Sequence, residues 1–512
     1  MQKASLARRC AALLLLAFVT CAAADERQEL ESLRATTLNL IKLLVSEGLL
    51  SQEKANELIR QAEQGASPPG EKPKPVVRVP YVPQTVRDQL KDELREEVMA
   101  TARAEGWAQP NAMPEWANRL TIEGDVRLRY QSDMLSQNNA PAALFQLFGQ
   151  NINNTTEDRD RLRLRARLGV RARVLDNMEA GFGLATGTVG STGSPNSTNN
   201  TLGDSFNRES AGIDLAYIDW SPAEWLRLVG GRFRNPFLHS DLLWAPDLNF
   251  DGVAATVKPR WRENVAPFLT LGAFPLQEFE PAPDNATRKN KWLYAAQLGA
   301  ELGSPEYTQL RLGLAQYRYE HIEGIPNNDP AFPNQFDWTA PQFRQKGNTL
   351  FPINLPGSPT LFALASRFEL VNVTAELGLR YDSLRRVWLL ADWVRNTGFD
   401  QNEIFNRTGG LGLEPQRDAV HYRLSFGHRQ MERRGDWFVF GAYKRIERDA
   451  LLDAFNDGDF HLGGTNAKGW QLGGGYAVGR NAWFGAKYST ANQVDGLPLA
   501  IDVLQLDLNA RF

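Results

Sequence analysis

The sequence predicts an all-β transmembrane barrel of about 16 antiparallel strands, preceded by a short α-helical segment. Three observations carry this prediction: apolar and polar residues alternate with a period of two from residue 119 onward, short and long connections alternate between the predicted strands, and aromatic residues make up 10% of the 512 residues. Alternation of this kind describes a strand that is wetted on one face only. Sorting of the connections into short turns and long loops is typical of outer-membrane barrels.

The first 24 residues have the pattern of a secretory signal peptide. A basic start precedes an apolar run over residues 11–19 and three alanines at 22–24, which predicts cleavage before Asp25. The apolar run is too short to span a bilayer as a helix. The two cysteines of the chain, Cys10 and Cys21, both lie in this segment. The mature chain therefore has no thiol for disulfides, nucleophilic catalysis or metal binding.

A helical leader is predicted to follow and to lie in the periplasm. Residues 25–66 contain leucines at three-to-four spacing, which favours an amphipathic helical segment and leaves a coiled coil open as an alternative. Residues 67–84 are rich in proline and predict an extended linker. Residues 85–118 predict a charged helix and the entry into the barrel, which then occupies 119–512.

Sixteen segments show the two-residue period or fit between the turn signals. Their lengths suit strands that cross a bilayer at a tilt. An eighteen-strand barrel is an alternative, because Leu361 to Leu370 could add strand to the longest connection, 321–371. The predicted strands are 119–131, 160–175, 179–188, 210–220, 225–236, 251–259, 265–276, 291–302, 307–320, 372–382, 386–396, 417–429, 435–446, 467–478, 482–492 and 502–512.

Aromatic residues at strand ends are consistent with this barrel. Several tryptophans lie beside predicted turns, where an interfacial girdle places them. Phe512 ends an alternating strand, a feature that barrel-assembly machinery commonly recognises. The girdle candidates are Trp220, Trp225, Trp261, Trp437, Trp470 and Trp483.

Short motifs resemble the "putative porin" family of Gram-negative bacteria. They include Pro114-Glu115-Trp116-Ala117-Asn118 before the first strand, Gly231-Arg232-Phe233, and Asp247-Leu248-Asn249-Phe250-Asp251-Gly252. The resemblance covers nearly the whole mature chain, leader included. It implies an outer-membrane β-barrel channel but does not indicate which solute the channel carries.

The second predicted strand carries a row of arginines on one face. Leucine, valine and alanine occupy the other face, and an arginine turned toward lipid costs about 2–4 kcal/mol near the bilayer midplane. We therefore expect the arginines to face the lumen, together with two arginines of the first strand. The predicted pore-lining residues are Arg127, Arg129, Arg161, Arg163, Arg165, Arg167, Arg171 and Arg173.

The positive charges of the arginine row repel one another and must be compensated by nearby acidic residues. Glu123 and Asp125 lie beside the row, and the third long loop contributes Asp241 and Asp247. In general porins this loop folds inward and narrows the pore opposite a basic wall, so the resemblance makes the two aspartates constriction candidates. An ordinary surface loop is the alternative, and residues 321–371 are an alternative plug.

The function predicted from these features is a passive channel for small hydrophilic solutes, with an arginine-lined wall that favours anions. A structural anchor that tethers the helical segment to peptidoglycan or a periplasmic partner through 25–110 is the main alternative. An outer-membrane enzyme is a weaker one, because the five histidines form no nucleophile or metal motif. We expect outer-membrane lipid and the barrel-assembly machinery as partners, with a homo-trimer as an open alternative. No cofactor or metal is predicted, and the net charge of −3 gives no indication of nucleic-acid binding.

Overall fold

The computed structural model describes residues 117–512, except 191–192, 260, 282–287, 305 and 358. The predicted signal peptide, the helical segment 25–66, the linker 67–84 and most of 85–118 lie outside the described residues. Within the described residues, no helix is both long enough and apolar enough to cross a membrane.

Sixteen long strands form a closed antiparallel barrel. β1 pairs with β2 along one edge and with β19 along the other, from Asp125↔Arg511 to Leu135↔Ile501, which closes the sheet. The described strands are β1 Leu120–Leu135, β2 Arg159–Leu175, β3 Met178–Thr186, β4 Asn200–Thr201, β5 Ala211–Ala223, β6 Leu226–Arg234, β7 Asn249–Val257, β8 Val265–Gln277, β9 Lys291–Gly303, β10 Thr308–Glu320, β11 Leu350–Pro352, β12 Phe362–Leu364, β13 Glu369–Arg380, β14 Arg385–Asn396, β15 Asp418–His428, β16 Trp437–Ile446, β17 Ala467–Gly479, β18 Ala482–Gln493 and β19 Ala500–Arg511.

The three short strands lie outside the barrel count. β4 pairs with two residues of β2. β11 and β12 pair with each other inside a long loop, and Leu364 of β12 also bridges Glu323 of the same loop. The prediction of a 16-strand barrel is therefore confirmed. The eighteen-strand alternative is wrong, because the strand found within Leu361 to Leu370 joins a loop hairpin and not the barrel wall.

The alternating sequence places apolar side chains outside and polar side chains inside. In β1, Ile122, Val126 and Leu128 are exposed on the outer surface, whereas Arg129 is 3% exposed and Gln131 only 1%. This is the reverse of a water-soluble sheet, and it satisfies lipid on one side and a polar interior on the other.

Two small helices and two 3-10 turns complete the described elements. A 3-10 turn, Ala117–Arg119, precedes β1, and another spans Asp337–Thr339. Helix α1 is Ala142–Leu147 and helix α2 is Gln401–Thr408. The carboxylate of Asp400 accepts hydrogen bonds from the first backbone amides of α2, which is the usual N-cap arrangement.

Three long loops pack together inside the barrel. We name them L3 (235–248), L5 (321–368) and L7 (447–466), and the loop 187–210 is named L2. Their apolar residues form one buried cluster with inward-facing residues of the wall, because each loop carries side chains that would otherwise meet water. The loop members of this cluster are Phe237, Leu242, Leu243, Trp244, Ala245, Leu248, Ile322, Leu364, Phe368, Ala450, Leu451, Leu452 and Phe460.

Candidate functional site

The register between β1 and β2 gathers the predicted arginines on the inner face of one stretch of wall. Arg127 lies opposite Arg165, and Arg129 lies opposite Arg163. Residues directly opposite each other in an antiparallel pair share a face, as do positions two residues apart. All eight predicted arginines therefore project from the same side of two neighbouring strands.

Five of the eight arginines are ion-paired within the described residues. Arg129 has the most extensive pairing, because it contacts Asp459 at 2.9 Å and Asp507 at 2.7 Å. The other pairs are Arg161 with Asp133, Arg165 with Asp125 and Asp247, Arg167 with Asp247, and Arg171 with Glu123 and Glu179. Most of the positive charge in the row is thus compensated locally.

Arg127, Arg163 and Arg173 have no carboxylate within 4.0 Å among the described residues. Arg127 donates one hydrogen bond to the side chain of Asn199, and Arg163 donates one to Gln131. A guanidinium group has five N–H donors. Most of the donors of Arg127 and Arg163 are therefore not used by the residues that the structure describes.

Asp247 fixes one end of L3 to this arginine wall. Its Oδ1 lies 2.5 Å from Nη2 of Arg167, and its Oδ2 accepts hydrogen bonds from the amide and hydroxyl of Thr198 in L2. Burial works to raise the pKa of Asp247, but the charges of Arg167 and Arg165 outweigh it and hold the pKa below its usual range. The carboxylate therefore stays charged at any physiological pH.

Asp241 fixes L3 to a different part of the wall. It lies 3.0 Å from Nζ of Lys444 on β16 and 3.2 Å from Nδ1 of His421 on β15. Burial works to raise the pKa of Asp241, and the charges of Lys444 and His421 bring it well below the usual range. Since Asp247 meets β2 and Asp241 meets β15 and β16, L3 crosses the interior of the barrel.

A hydrogen-bond network continues the second anchor into the wall. Ser240 donates to the carboxylate of Asp392 on β14 at 2.5 Å, and Asn372 and Thr374 of β13 donate to the same carboxylate. All four side chains are buried. Buried polar groups with satisfied partners hold one defined geometry, so this network fixes the position of L3.

Three cavities follow one another along the arginine wall. The upper cavity, of about 370 Å³, lies on the loop side and includes Arg127, Arg159 and Arg163 in its lining. The middle cavity, of about 630 Å³, includes Arg167, Arg234 and Arg511, and the lower cavity, of about 740 Å³, includes Arg171, Arg173 and Arg227.

Shared lining residues show how these cavities adjoin. The upper and middle cavities share Arg165, Pro246 and Asp247, so they meet where L3 contacts the wall. The middle and lower cavities share Glu123, Gly169 and Arg234 among others. The arginine row therefore borders three adjoining spaces. We call the place where the upper and middle cavities meet, beside the contact between Asp247 and Arg165, the neck.

A fourth cavity is lined by loop and wall residues together and also borders Asp247. Its volume is about 750 Å³, and Trp244, Phe250, Phe274 and Phe455 give it a largely apolar wall. It shares Asp247 with the upper cavity.

The predicted site residues thus fall into two groups. The eight arginines and Asp247 lie together, whereas Asp241 lines none of the four cavities and meets the opposite wall. Sequence analysis missed Arg159, which extends the row by one position, and it missed Asp459 and Lys444. The inward direction of Arg159 could have been found from the same alternation. No sequence pattern indicates that L7 folds inward, so Asp459 could not have been found.

The described part of the chain contains no group of three or more His, Cys, Asp or Glu residues placed to hold a metal ion. The closed barrel, the loops that fold into it and the charged lumen together define an outer-membrane protein of the porin class. The chain belongs to the family described as "Putative porin", whose model matches residues 34–512. The resemblance seen in the sequence is thereby confirmed, and with it the coarse assignment as an outer-membrane channel.

Solved structures with a similar fold are outer-membrane proteins of low sequence identity. The outer membrane channel DcaP of Acinetobacter baumannii is 10% identical, with a TM-score of 0.40 over 77% of this chain and 97% of that chain. Pseudomonas putida OprB is 12% identical, with a TM-score of 0.43 over 77% of this chain and 95% of that chain. Salmonella typhi OmpF, in complex with daunomycin, is 10% identical with a TM-score of 0.40 over 77% and 97%. No curated protein matches the chain.

Proposed function

We propose that the protein is a passive channel for small hydrophilic solutes and that its arginine wall favours anions. The observation that carries this proposal is the series of three adjoining cavities along β1 and β2, each lined by arginines. A solute that follows this wall meets guanidinium groups from the loop side to the turn side of the barrel.

The charges along the route support a preference for anions. Guanidinium groups stay protonated at physiological pH and match the geometry of carboxylate and phosphate. Ion pairing lowers the net field of the row but leaves N–H donors on several arginines. Graded contacts of this kind let an ion bind and leave in steps, which conduction requires.

The neck between the upper and middle cavities is the proposed constriction. Arg165 and Asp247 face each other there, at 3.4 Å, and Asp247 is held in place by Arg167 and Thr198. An acid on the loop and bases on the wall produce a transverse field, which orients a dipolar solute as it passes. Asp241 is proposed to position L3 and not to line the neck.

Recording in planar bilayers tests this proposal. Protein purified from outer membranes should produce discrete conducting steps in KCl, and charge reversal by Arg163→Glu and Arg165→Glu should shift selectivity toward cations. Lys468→Glu is a matched control, because Lys468 is not among the lining residues of the three cavities. Absence of conducting steps from correctly folded barrel would overturn the channel, and unchanged selectivity in the double variant would overturn the arginine route.

A further inference from the structure

The upper cavity combines three positively charged side chains that have no acidic partner in the described part of the chain. Arg127, Arg159 and Arg163 line it, and no carboxylate of the described residues lies within 4.0 Å of any of their nitrogen atoms. Arg127 and Arg163 are diagonal neighbours across the β1–β2 register, since Arg127 is opposite Arg165 and Arg163 is two residues before Arg165. Such diagonal neighbours are within reach of one another's long side chains.

Every carboxylate that lines the upper cavity is already paired with another cation. Asp133 pairs with Arg161, and Asp247 pairs with Arg165 and Arg167. In L7, Asp457 lies 3.4 Å from Lys444, and Asp459 lies within 3.0 Å of both Arg129 and Lys487. Among the described residues that line this cavity, no acid is therefore left to neutralise Arg127 and Arg163.

The guanidinium groups of Arg127 and Arg163 make few hydrogen bonds with the described residues. Asn199 and Gln131 each accept one hydrogen bond from them, and Nε of both arginines is buried without a partner. Buried polar atoms without partners are uncommon in folded proteins, and each requires an explanation. A cavity of about 370 Å³ beside them has room for a small ligand.

We infer that Arg127 and Arg163 form a binding subsite for a single oxyanion group, carboxylate or phosphate, in the upper cavity. This inference rests on the proposed channel function and deepens it, because it locates the preference at two of the eight predicted arginines. An oxyanion accepts several charge-assisted hydrogen bonds from two guanidinium forks, which chloride cannot match in geometry. Arg159, exposed at the start of β2, adds positive charge at the loop-side rim of the cavity.

Competition between oxyanions and chloride in single channels tests the subsite. Phosphate or acetate is added in increasing concentration at constant chloride, and the chloride current is measured. Wild-type protein should show saturable block by at least one of these oxyanions, because an occupied subsite slows the passage of chloride. In the Arg127→Gln/Arg163→Gln variant, the half-blocking concentration should rise about tenfold or more, as expected for losing several charge-assisted hydrogen bonds.

The chain offers a control with the same chemistry on the same strand. Arg173 also lacks a carboxylate partner, but it lines the lower cavity, roughly 33 Å from Arg163 at the usual rise per strand residue. Arg173→Gln should leave the block by oxyanions unchanged.

The possible outcomes separate the subsite from the channel itself. Absence of current from folded protein contradicts the proposed function. Current without saturable block, equal block in wild type and the double variant, or equal loss in Arg173→Gln each contradict the subsite while leaving the channel intact. Comparison of phosphate with acetate shows which oxyanion the subsite prefers.

Discussion

Oδ1 of Asp247 lies 2.5 Å from Nη2 of Arg167, which ties the third long loop directly to the second strand of the barrel. The same carboxylate is 3.4 Å from Arg165, and both partners border the place where the upper and middle cavities meet. One loop carboxylate thus contacts two arginines of the wall beside the proposed constriction.

Removal of this anchor should widen the neck and raise its positive charge. In Asp247→Asn, Arg165 and Arg167 lose their shared carboxylate and L3 loses its charged tie to the wall. We expect a larger single-channel conductance and a stronger preference for chloride over potassium. Asp219→Asn is the control, since Asp219 pairs with Arg227 at the lower cavity. Equal changes in both variants would mean that Asp247 does not control the narrowest point.

The second anchor of L3 is the contact between Asp241 and Lys444. Removing only one of these two partners should lower the stability of the folded protein strongly. Lys444 is fully buried and contacts the half-buried Asp241 and the buried Asp457, so Lys444→Met leaves two carboxylates with less compensation. We expect a loss of about 3–5 kcal/mol in the free energy of unfolding, as is typical when one partner of a buried ion pair is removed.

Thermal or denaturant unfolding in one fixed detergent measures this loss. The double variant Lys444→Met/Asp241→Asn should recover much of the stability, because it removes a buried charge of each sign. If Asp241→Asn lowered the stability of the Lys444→Met variant as much as it lowers that of the wild type, Asp241 and Lys444 would not act as a pair.

Closure of the barrel at β1 and β19 should be sensitive to one glycine. Gly124 exchanges two backbone hydrogen bonds of 3.0 Å with Phe512, and a Cβ atom at Gly124 would lie 2.4 Å from the Phe512 ring and 2.8 Å from the carbonyl oxygen of Arg167. Gly124→Ala should therefore destabilise the closed barrel by about 1–3 kcal/mol, the usual cost of overpacking.

Gly169 provides the matched substitution on the neighbouring strand. A Cβ atom there would have its nearest neighbour at 3.4 Å, so Gly169→Ala should fold normally. The fraction of heat-modifiable, folded barrel on a gel compares the two. Equal folding of both variants would show that the contact between Gly124 and Phe512 does not limit closure.

The packing of L5 against L7 should depend on pH. Burial raises the pKa of Asp453 to about 7 from an ordinary value of 3.8, and burial lowers the pKa of Lys346 to about 7 from 10.5. Between pH 4 and 7 the folded protein holds a proton on Asp453 that the unfolded chain has released, so stability falls as pH rises. Above pH 7 the unfolded chain holds a proton on Lys346 that the folded protein lacks, so stability rises with pH.

These opposite slopes predict a minimum of thermal stability near pH 7. Melting temperatures at several pH values from 5 to 9 measure it. Asp453→Asn should remove the acidic slope and Lys346→Met the alkaline slope. A wild-type melting temperature that rises steadily from pH 5 to 7 would contradict the role of Asp453.

The wall of the barrel could be predicted from the sequence because its physical constraint is local. A strand between lipid and water must alternate, so the pattern around Leu162, Arg163 and Leu164 specifies both the strand and its faces. The predicted and observed strands agree to within a few residues at each end. Residues such as Ala419 in β15 and Gly473 in β17 fit less regular patterns, and turn spacing was needed to place those strands.

The interior could be predicted only in part because its contacts are not local. The apolar run Leu242-Leu243-Trp244 indicates that L3 is buried, but not that Asp241 and Asp247 meet different walls. The pairing of Arg129 with Asp459 joins residues 330 positions apart, and no strand periodicity relates them. The leader predictions for residues 25–116, the tether function and the homo-trimer remain predictions.

The reversal potential of the wild-type channel under a KCl gradient shows which ion carries the current. If solutes pass along the arginine wall, chloride should carry most of the current, and the reversal potential should lie toward the chloride equilibrium potential. The shift should weaken at high salt, because ionic screening reduces the field of the wall. A reversal potential toward the potassium equilibrium potential would mean that the arginine wall does not select the permeating ion.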